Sequence, residues 1–277
     1  ELGGGFMTGS IHEYVFVGDY MLSRLDWDVK PLWLARAAFA CNFDNDVILH
    51  ASCAIGIPAT TGVMQDYDWR TTDINGKYTG EWSNYSIHTN EMAAALFFDL
   101  DALLPAGSFL GGKFFFTAGL SWQHFAMDAV DGHLEYPPGS DPIVLSGKAI
   151  SYTTDQVLLT LGAVHAWRWA SFCSASFSLT GSFLGFEKAV DQHHSTLKDY
   201  TDVFFLVPWI KAVYAMSFDV STEASIGFAV NLSWFPERRG TSYETLSDGT
   251  SYKFTGQKGG ESSFFIGAEI NMQFLFQ

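Results

Sequence analysis

Apolar and polar residues alternate with a period of two over unusually long stretches of this chain. From Leu25 to Phe39 every odd position is apolar: Leu25, Trp27, Val29, Pro31, Trp33, Ala35, Ala37 and Phe39. The even positions between them include Asp26, Asp28, Lys30 and Arg36. Such a period describes an extended strand with one apolar and one polar face. Fifteen residues is about three times the usual strand length. The pattern returns at Val47, Leu49, Ala51, Cys53, Ile55 and Ile57, and again at Met92, Ala94, Leu96, Phe98 and Leu100. Near the end, Phe264, Ile266, Ala268, Ile270, Met272, Phe274 and Phe276 repeat it.

The polar faces of these strands carry mostly Ser, Thr, Asn and Gly with scattered charge. A soluble sandwich would expose densely charged outer faces, whereas a membrane barrel sets apolar residues against lipid and polar residues in a wet lumen. The pattern therefore predicts an all-β fold, a transmembrane up-and-down antiparallel β-barrel of about ten long strands. A first hairpin is expected near Gly18. Short breaks fall at Phe43 to Asn45, Trp169 to Ser171 and Phe218 to Val220. Longer polar breaks fall at Arg70 to Trp82, Asp128 to Gly147, His194 to Thr201 and Glu237 to Gly260. Short turns at one end and long loops at the other suit such a barrel, and Asp101 to Gly111 is assigned to the short-turn end.

Composition supports this reading. Hydrophobic residues make up 48% of the 277 and charged residues only 16%, against about 25% in a typical soluble domain. No apolar run approaches the 18 residues of a membrane helix. The net charge of −15 argues against nucleic acid as a partner. No linker or shift in composition divides the chain, so residues 1–277 are expected to form a single outer-membrane barrel domain. No secretory signal peptide begins at Glu1, so for an exported protein this is the mature form. Cys41, Cys53 and Cys173 lack metal or redox spacing and fall in apolar series, where they are expected to face lipid as small hydrophobes.

Two short motifs carry candidate chemistry. Asp66-Tyr67-Asp68 ends the third strand and Asp191-Gln192-His193 ends the seventh. Residues two apart on a strand point to one side, about 7 Å apart. Both motifs precede long loops and so share one rim. Two close carboxylates disfavour joint ionisation and hold a shared proton, and an imidazole with its own carboxylate can move protons near neutral pH. Counting from Val47 places Asp66 and Asp68 on the lumen side. The same count points Asp191 and His193 at lipid, because Ala175, Phe177 and Leu179 are odd and apolar, so a bulge at Gly181 or Gly185 is required. Ser86 and His88 admit two readings, a serine nucleophile with its base or ordinary lumen residues. Nothing gives Asp and His a metal-ligand spacing, and no metal site is expected.

These residues resemble the omptin family, outer-membrane endopeptidases of Gram-negative bacteria. The resemblance is carried by Glu13-Tyr14-Val15, Ser23-Arg24-Leu25-Asp26-Trp27, and Met64-Gln65-Asp66-Tyr67-Asp68-Trp69. It continues through Trp82-Ser83-Asn84-Tyr85-Ser86-Ile87-His88 and Asp191-Gln192-His193, in matching order from about Gly3 to His194. It implies a barrel in the cell outer membrane with an active-site cleft on the extracellular side. It further implies an aspartyl-type mechanism without a cofactor, in which water is activated between an Asp pair, Asp66 and Asp68, and a His-Asp pair, His193 and Asp191. Glu13, Ser86 and His88 match substrate-cleft positions of the family.

The family typically cleaves peptides and proteins at basic residues, using acids in its cleft. Here the acid expected two residues before Asp191 is replaced by Ala189 or Val190, and that before Tyr85 by Asn84. Cleavage at basic residues is therefore expected to be weaker or broader than usual. The family also binds lipopolysaccharide through basic groups on its outer wall; Asp155 stands where one of these aligns, which argues against lipopolysaccharide dependence. Arg238-Arg239 offers a dibasic pair in a long outer loop, a candidate autolysis site beside the plainer reading of two solvated arginines. The alternative to an enzyme is an omptin-like barrel serving as adhesin, receptor or structural protein. A channel is a weaker third reading, since ten strands leave a narrow, filled lumen.

Overall fold

The computed structural model describes residues 1–43, 46–137 and 139–275. The strand segments, all of whose pairings are antiparallel, are in chain order β1 (Leu2–Val17), β2 (Tyr20–Asn42), β3 (Ile48–Gly56), β4 (Ala59–Asp68), β5 (Asn84–Phe109), β6 (Gly112–Glu135) and β7 (Ile143–Ala170). They continue as β8 (Cys173–His193), β9 (Lys198–Phe205), β10 (Trp209–Asp219), β11 (Ala224–Arg239), β12 (Thr241–Thr245), β13 (Ser251–Lys253) and β14 (Gln257–Phe274). β14 pairs with β1 and closes the ring.

Four of these segments are continuations of the strand before them. β3 and β4 share the neighbours β2 and β5, and their common strand is interrupted at Pro58. β9 and β10 both pair with β8 and are separated at Pro208. Proline has no N–H to give a ladder, so it marks such breaks. β11 and β12 are parted only by Gly240, and β13 and β14 by a three-residue gap. Ten long strands result, as the alternation predicts.

The long breaks are shorter than expected. Strand pairing continues through most of Asp128 to Gly147 and Glu237 to Gly260 and half of His194 to Thr201, because these walls rise past the lipid belt while remaining hydrogen-bonded. Among the described residues, 136–137, 139–142, 194–197, 240, 246–250 and 254–256 stay outside strands there, with 69–83 forming the remaining long loop. The Asp101 to Gly111 segment completes β5 and turns tightly at the opposite end. Of the turn expected at Phe43 to Asn45, Asp44 and Asn45 lie outside the described residues, as do Phe276 and Gln277.

Which face is apolar changes along the barrel. Near the tight turns Trp33, Phe39, Ile55, Phe98, Leu120, Leu161, Phe228 and Ile270 stand on the exposed outer surface, the belt that lipid covers. Nearer the loops, Leu25, Trp27, Val29 and Met92 are buried inside the barrel instead. The unbroken odd series of β2 therefore crosses from inside to outside. The switch is made by an extra residue at Lys30-Pro31, between the pairs Met7 with Leu32 and Gly9 with Val29. Ala93 does the same in β5, between the pairs of Met92 with Met127 and Ala94 with Ala126. Above the belt the exterior meets water, so polar residues turn outward and the apolar ones pack inward.

Those inward residues close the lumen. Trp27 stacks on Tyr152 with ring centroids 5.6 Å apart, and Phe125 on Phe265 at 5.5 Å. Ile11, Met64, Met127, Leu158 and Phe235 join them in one buried cluster. Below it lies a polar lumen cavity of about 450 Å³ lined by Arg36, His50, Asp99, Lys211 and Glu269 among others. The apolar plug separates this cavity from the rim, which is inconsistent with a channel. Among the cysteines, Cys53 is exposed on the belt and Cys41 is half-buried. Cys173 is buried, contrary to expectation, where β8 begins between Ala170 and Phe218.

Candidate active site at the loop end of the barrel

Asp66 and Asp68 lie near the end of β4, paired with Leu25 and Ser23 of β2 on one side. On the other side they pair with Ser86 and Asn84 of β5. Met64 and Asp68 are buried, whereas Tyr67 stacks outside against Trp69. The lumen assignment of the pair therefore stands, but through two cancelling irregularities. The first is the break at Pro58. The second is a register shift between Thr60 and Gly62, where Gly62 has φ +121° and a Cβ would lie 2.7 Å from Asp28.

Asp191 and His193 end β8 opposite Tyr152 and Ile150 of β7. Their inward orientation needs the bulge anticipated at Gly181 or Gly185, and the irregularity falls between those two glycines. There the pairing passes from Leu161 with Gly181 to Leu159 with Leu184. Phe183 and Leu184 are consecutively exposed, and beyond them Glu187, Ala189 and Asp191 are buried.

His193 Nε2 donates to Asp191 Oδ2 at 2.7 Å. Because a carboxylate can only accept, this leaves Nδ1 as the free ring nitrogen. Burial opposes charging of His193, but Asp191, through its charge and its hydrogen bond, raises the imidazole above its usual range. Burial, reinforced by Asp68, pushes Asp66 up to about 7, against the opposing pull of His193. Asp191 and Arg70 also act on Asp66, so the groups of β4 and β8 interact electrostatically at the loop end of the barrel. Arg70 Nε donates to Asp68 Oδ1 at 2.9 Å. One oxygen each of Asp66 and Asp191 is buried without a partner among the described residues.

Ser86 and His88 are buried on β5 beside Asp66. His88 Nδ1 donates to the Asp131 carbonyl at 2.6 Å, so its Nε2 accepts from Ser86 Oγ at 3.0 Å. Burial lowers the His88 pKa and keeps the ring neutral. Ser86 is thus bonded to His88, not to His193.

Glu13 on β1 pairs with Leu25 and with Glu261 of β14. Burial, and then the charges of Asp191, Asp202, Glu261 and Asp66, raise its pKa well above the carboxylate range. The Oε2 of Glu13 is buried without a partner among the described residues.

The sequence model of the omptin family matches residues 1–276. The chain belongs to the omptin family. The outer membrane protease OmpT from Escherichia coli has a similar structure, with a TM-score of 0.85 at 16% identity, over 99% of this chain and 95% of that one. The transport unit of the autotransporter AIDA-I from Escherichia coli reaches a TM-score of 0.41 at 9% identity, covering 100% and 91%. No curated protein sequence matches the chain.

Beneath the cleft, this omptin carries a buried polar network that the sequence reading missed. Glu187, Glu261, Tyr152 and Arg238 are all buried. Arg238 Nε donates to Glu187 at 2.6 Å and its Nη2 to Glu261 at 2.9 Å, while Tyr152 Oη donates to Glu261 at 2.5 Å. Arg238 therefore sits in strand β11 with its charge engaged, and the expected dibasic loop does not exist. Arg239 lies over the Phe16 ring at 3.9 Å and donates to the Gly18 carbonyl. Asp202 on β9 is buried as well. The alternation Tyr200, Asp202, Phe204 was the available signal, because it places an acid on the same face as a core aromatic.

Proposed function

We propose that residues 1–277 form one outer-membrane barrel domain acting as an endopeptidase, its cleft facing the outside of the cell and cutting peptides at basic residues. What supports this reading is that Asp66, beside Asp68 on one wall, and the bonded pair Asp191–His193 on the other act on each other electrostatically. A substrate carbonyl entering between the walls meets a water flanked by the Asp66 carboxyl and His193 Nδ1. Asp191 holds the ring and stabilises its charged form as His193 takes the water proton. Close carboxylates retain a proton between them, and the raised pKa of Asp66 gives the acid pair a proton to share with the developing oxyanion. Ser86 and His88 shape the cleft beside Asp66, and Glu13 receives basic side chains. No metal or cofactor enters the scheme.

Lipopolysaccharide is not required in this reading. On the outer wall Trp122, Val157 and Phe186 form one register row at the belt edge, and His124, Asp155 and Lys188 the row above. Asp155 accepts from His124 at 2.9 Å and places negative charge where a phosphate needs positive.

Peptide cleavage by the purified barrel in detergent, with and without lipopolysaccharide, tests the proposal. Wild type is expected to cut next to Arg or Lys without large activation by lipopolysaccharide, and Asp68→Ala and His193→Ala to lose that activity. Equal activity in all three proteins would refute the site, and no cleavage by wild type would favour an adhesin or receptor built on the same scaffold.

A further inference from the structure

A pocket for a cationic side chain needs buried carboxyl groups with unmet hydrogen-bonding capacity, which burial and one another hold protonated until a cation enters and ionises them, and the region around Glu13 supplies such groups. Glu13 Oε2 is buried with no partner among the described residues. Arg238 is the buried cation nearby, but its guanidinium is bound to Glu187 and Glu261. One acid alone is a weak counter-charge for a desolvated guanidinium, and Ala189 contributes none.

Ala189 is directly opposite Asp202 in the register of β8 and β9. Both residues are buried on the inner face, and paired residues on one face of a sheet have neighbouring side chains. The small Ala189 leaves room for the carboxylate across from it. Room is made on the far side too, since a Cβ on Gly259 would lie 1.8 Å from the Asp202 carboxylate. Gly259 pairs with Val15, two residues from Glu13. Asp202 therefore reaches from β9 toward Glu13, and its charge acts on the Glu13 carboxyl.

We propose that Asp202 is, with Glu13, the second acid of the pocket that receives a basic substrate side chain, restoring from β9 the charge that β8 lacks at Ala189. This rests on the endopeptidase reading and revises one consequence of it. The absence of an acid at Ala189 alone would weaken basic preference, whereas an acid moved one strand across the sheet retains it.

Paired peptides carrying arginine or its neutral isostere citrulline before the scissile bond provide the test. The ratio of their kcat/KM values is measured for wild type, Asp202→Asn, and the double variant Ala189→Asp with Asp202→Asn. The wild-type ratio is expected to favour arginine by about a hundredfold, and Asp202→Asn to reduce it about tenfold or more, chiefly through KM for the arginine peptide. The double variant, with its charge returned to the opposite position of the pair, is expected to recover most of the ratio. Recovery also shows that any loss in the single variant is not misfolding, and circular dichroism checks each barrel. An unchanged ratio in a folded Asp202→Asn would overturn the assignment, as would equal wild-type cleavage of both peptides, while leaving the endopeptidase reading intact. Wild type that cleaves neither peptide would remove both.

Discussion

Asp66→Asn should stabilise the barrel while abolishing its activity, and the stabilisation should depend on pH. An ordinary aspartate ionises near 3.8, whereas Asp66 is held at about 7 by burial and by Asp68. In the unfolded chain the proton leaves above pH 3.8, but the folded site keeps it, so folding becomes progressively less favourable as pH rises. The penalty is absent below about pH 3.8, grows through the interval, and levels off above about 7. A shift of roughly three units at 1.36 kcal/mol each makes it on the order of 4 kcal/mol at pH 8. The amide of Asn is neutral at every pH but still polar and buried, which returns about half of the gain. The variant should therefore be more stable than wild type by ~2 kcal/mol at pH 8 and roughly equal near pH 4. Urea unfolding in lipid vesicles, followed by tryptophan fluorescence at both values, measures the difference. Glu13, Asp202 and Glu261 also have raised pKa values, but they are present in both proteins and largely cancel. A variant less stable than wild type at pH 8, or a gain independent of pH, would refute the reasoning.

Three further outcomes follow from the same geometry. Because His193 must be unprotonated to accept a proton and its pKa lies above the usual imidazole range, while Asp66 must keep the proton it loses near 7, kcat/KM should follow a bell that peaks close to neutrality; a flat profile, or one that only falls as pH rises from about 5, would contradict the role of His193 as base. Trp27→Ala removes a fully buried tryptophan of the plug and its stack on Tyr152, and should cost about 3–5 kcal/mol in the same unfolding assay. Arg238→Met strands Glu187 and Glu261 without their cation and should cost about 3–5 kcal/mol, whereas mass spectrometry of stored wild-type protein should find no cut after Arg238.

The barrel was legible because a period of two, sustained over many residues, leaves few other folds open. β14 carries its apolar face outward from Phe264 to Phe274 as read. β2 and β5 do not. Their alternation runs on unbroken while the surroundings outside the wall change from lipid to water, and one inserted residue at the boundary swaps the faces. That boundary is a height in the folded barrel, set by ten strands together, so no single strand records it. Asp66, Asp68, Asp191 and His193 were legible as spaced pairs at strand ends. Asp202, Glu187 and Glu261 were not, since each is a lone acid in an ordinary strand and gains meaning only from neighbours far along the chain. Arg238 illustrates the same limit: as sequence it is half of an exposed dibasic pair, and in the fold it is the buried counter-ion of two glutamates.

The central claim is that water activated between Asp and His side chains, and not a serine, attacks the peptide bond. Ser86 is the competing nucleophile, with His88 Nε2 at 3.0 Å from its hydroxyl. The most direct measurement compares kcat/KM of His193→Ala and Ser86→Ala on one arginine-containing peptide. A loss of about a thousandfold or more is expected for His193→Ala, and a loss of less than about tenfold for Ser86→Ala. A Ser86→Ala barrel that is folded but inactive, beside a His193→Ala barrel that still cleaves, would contradict it.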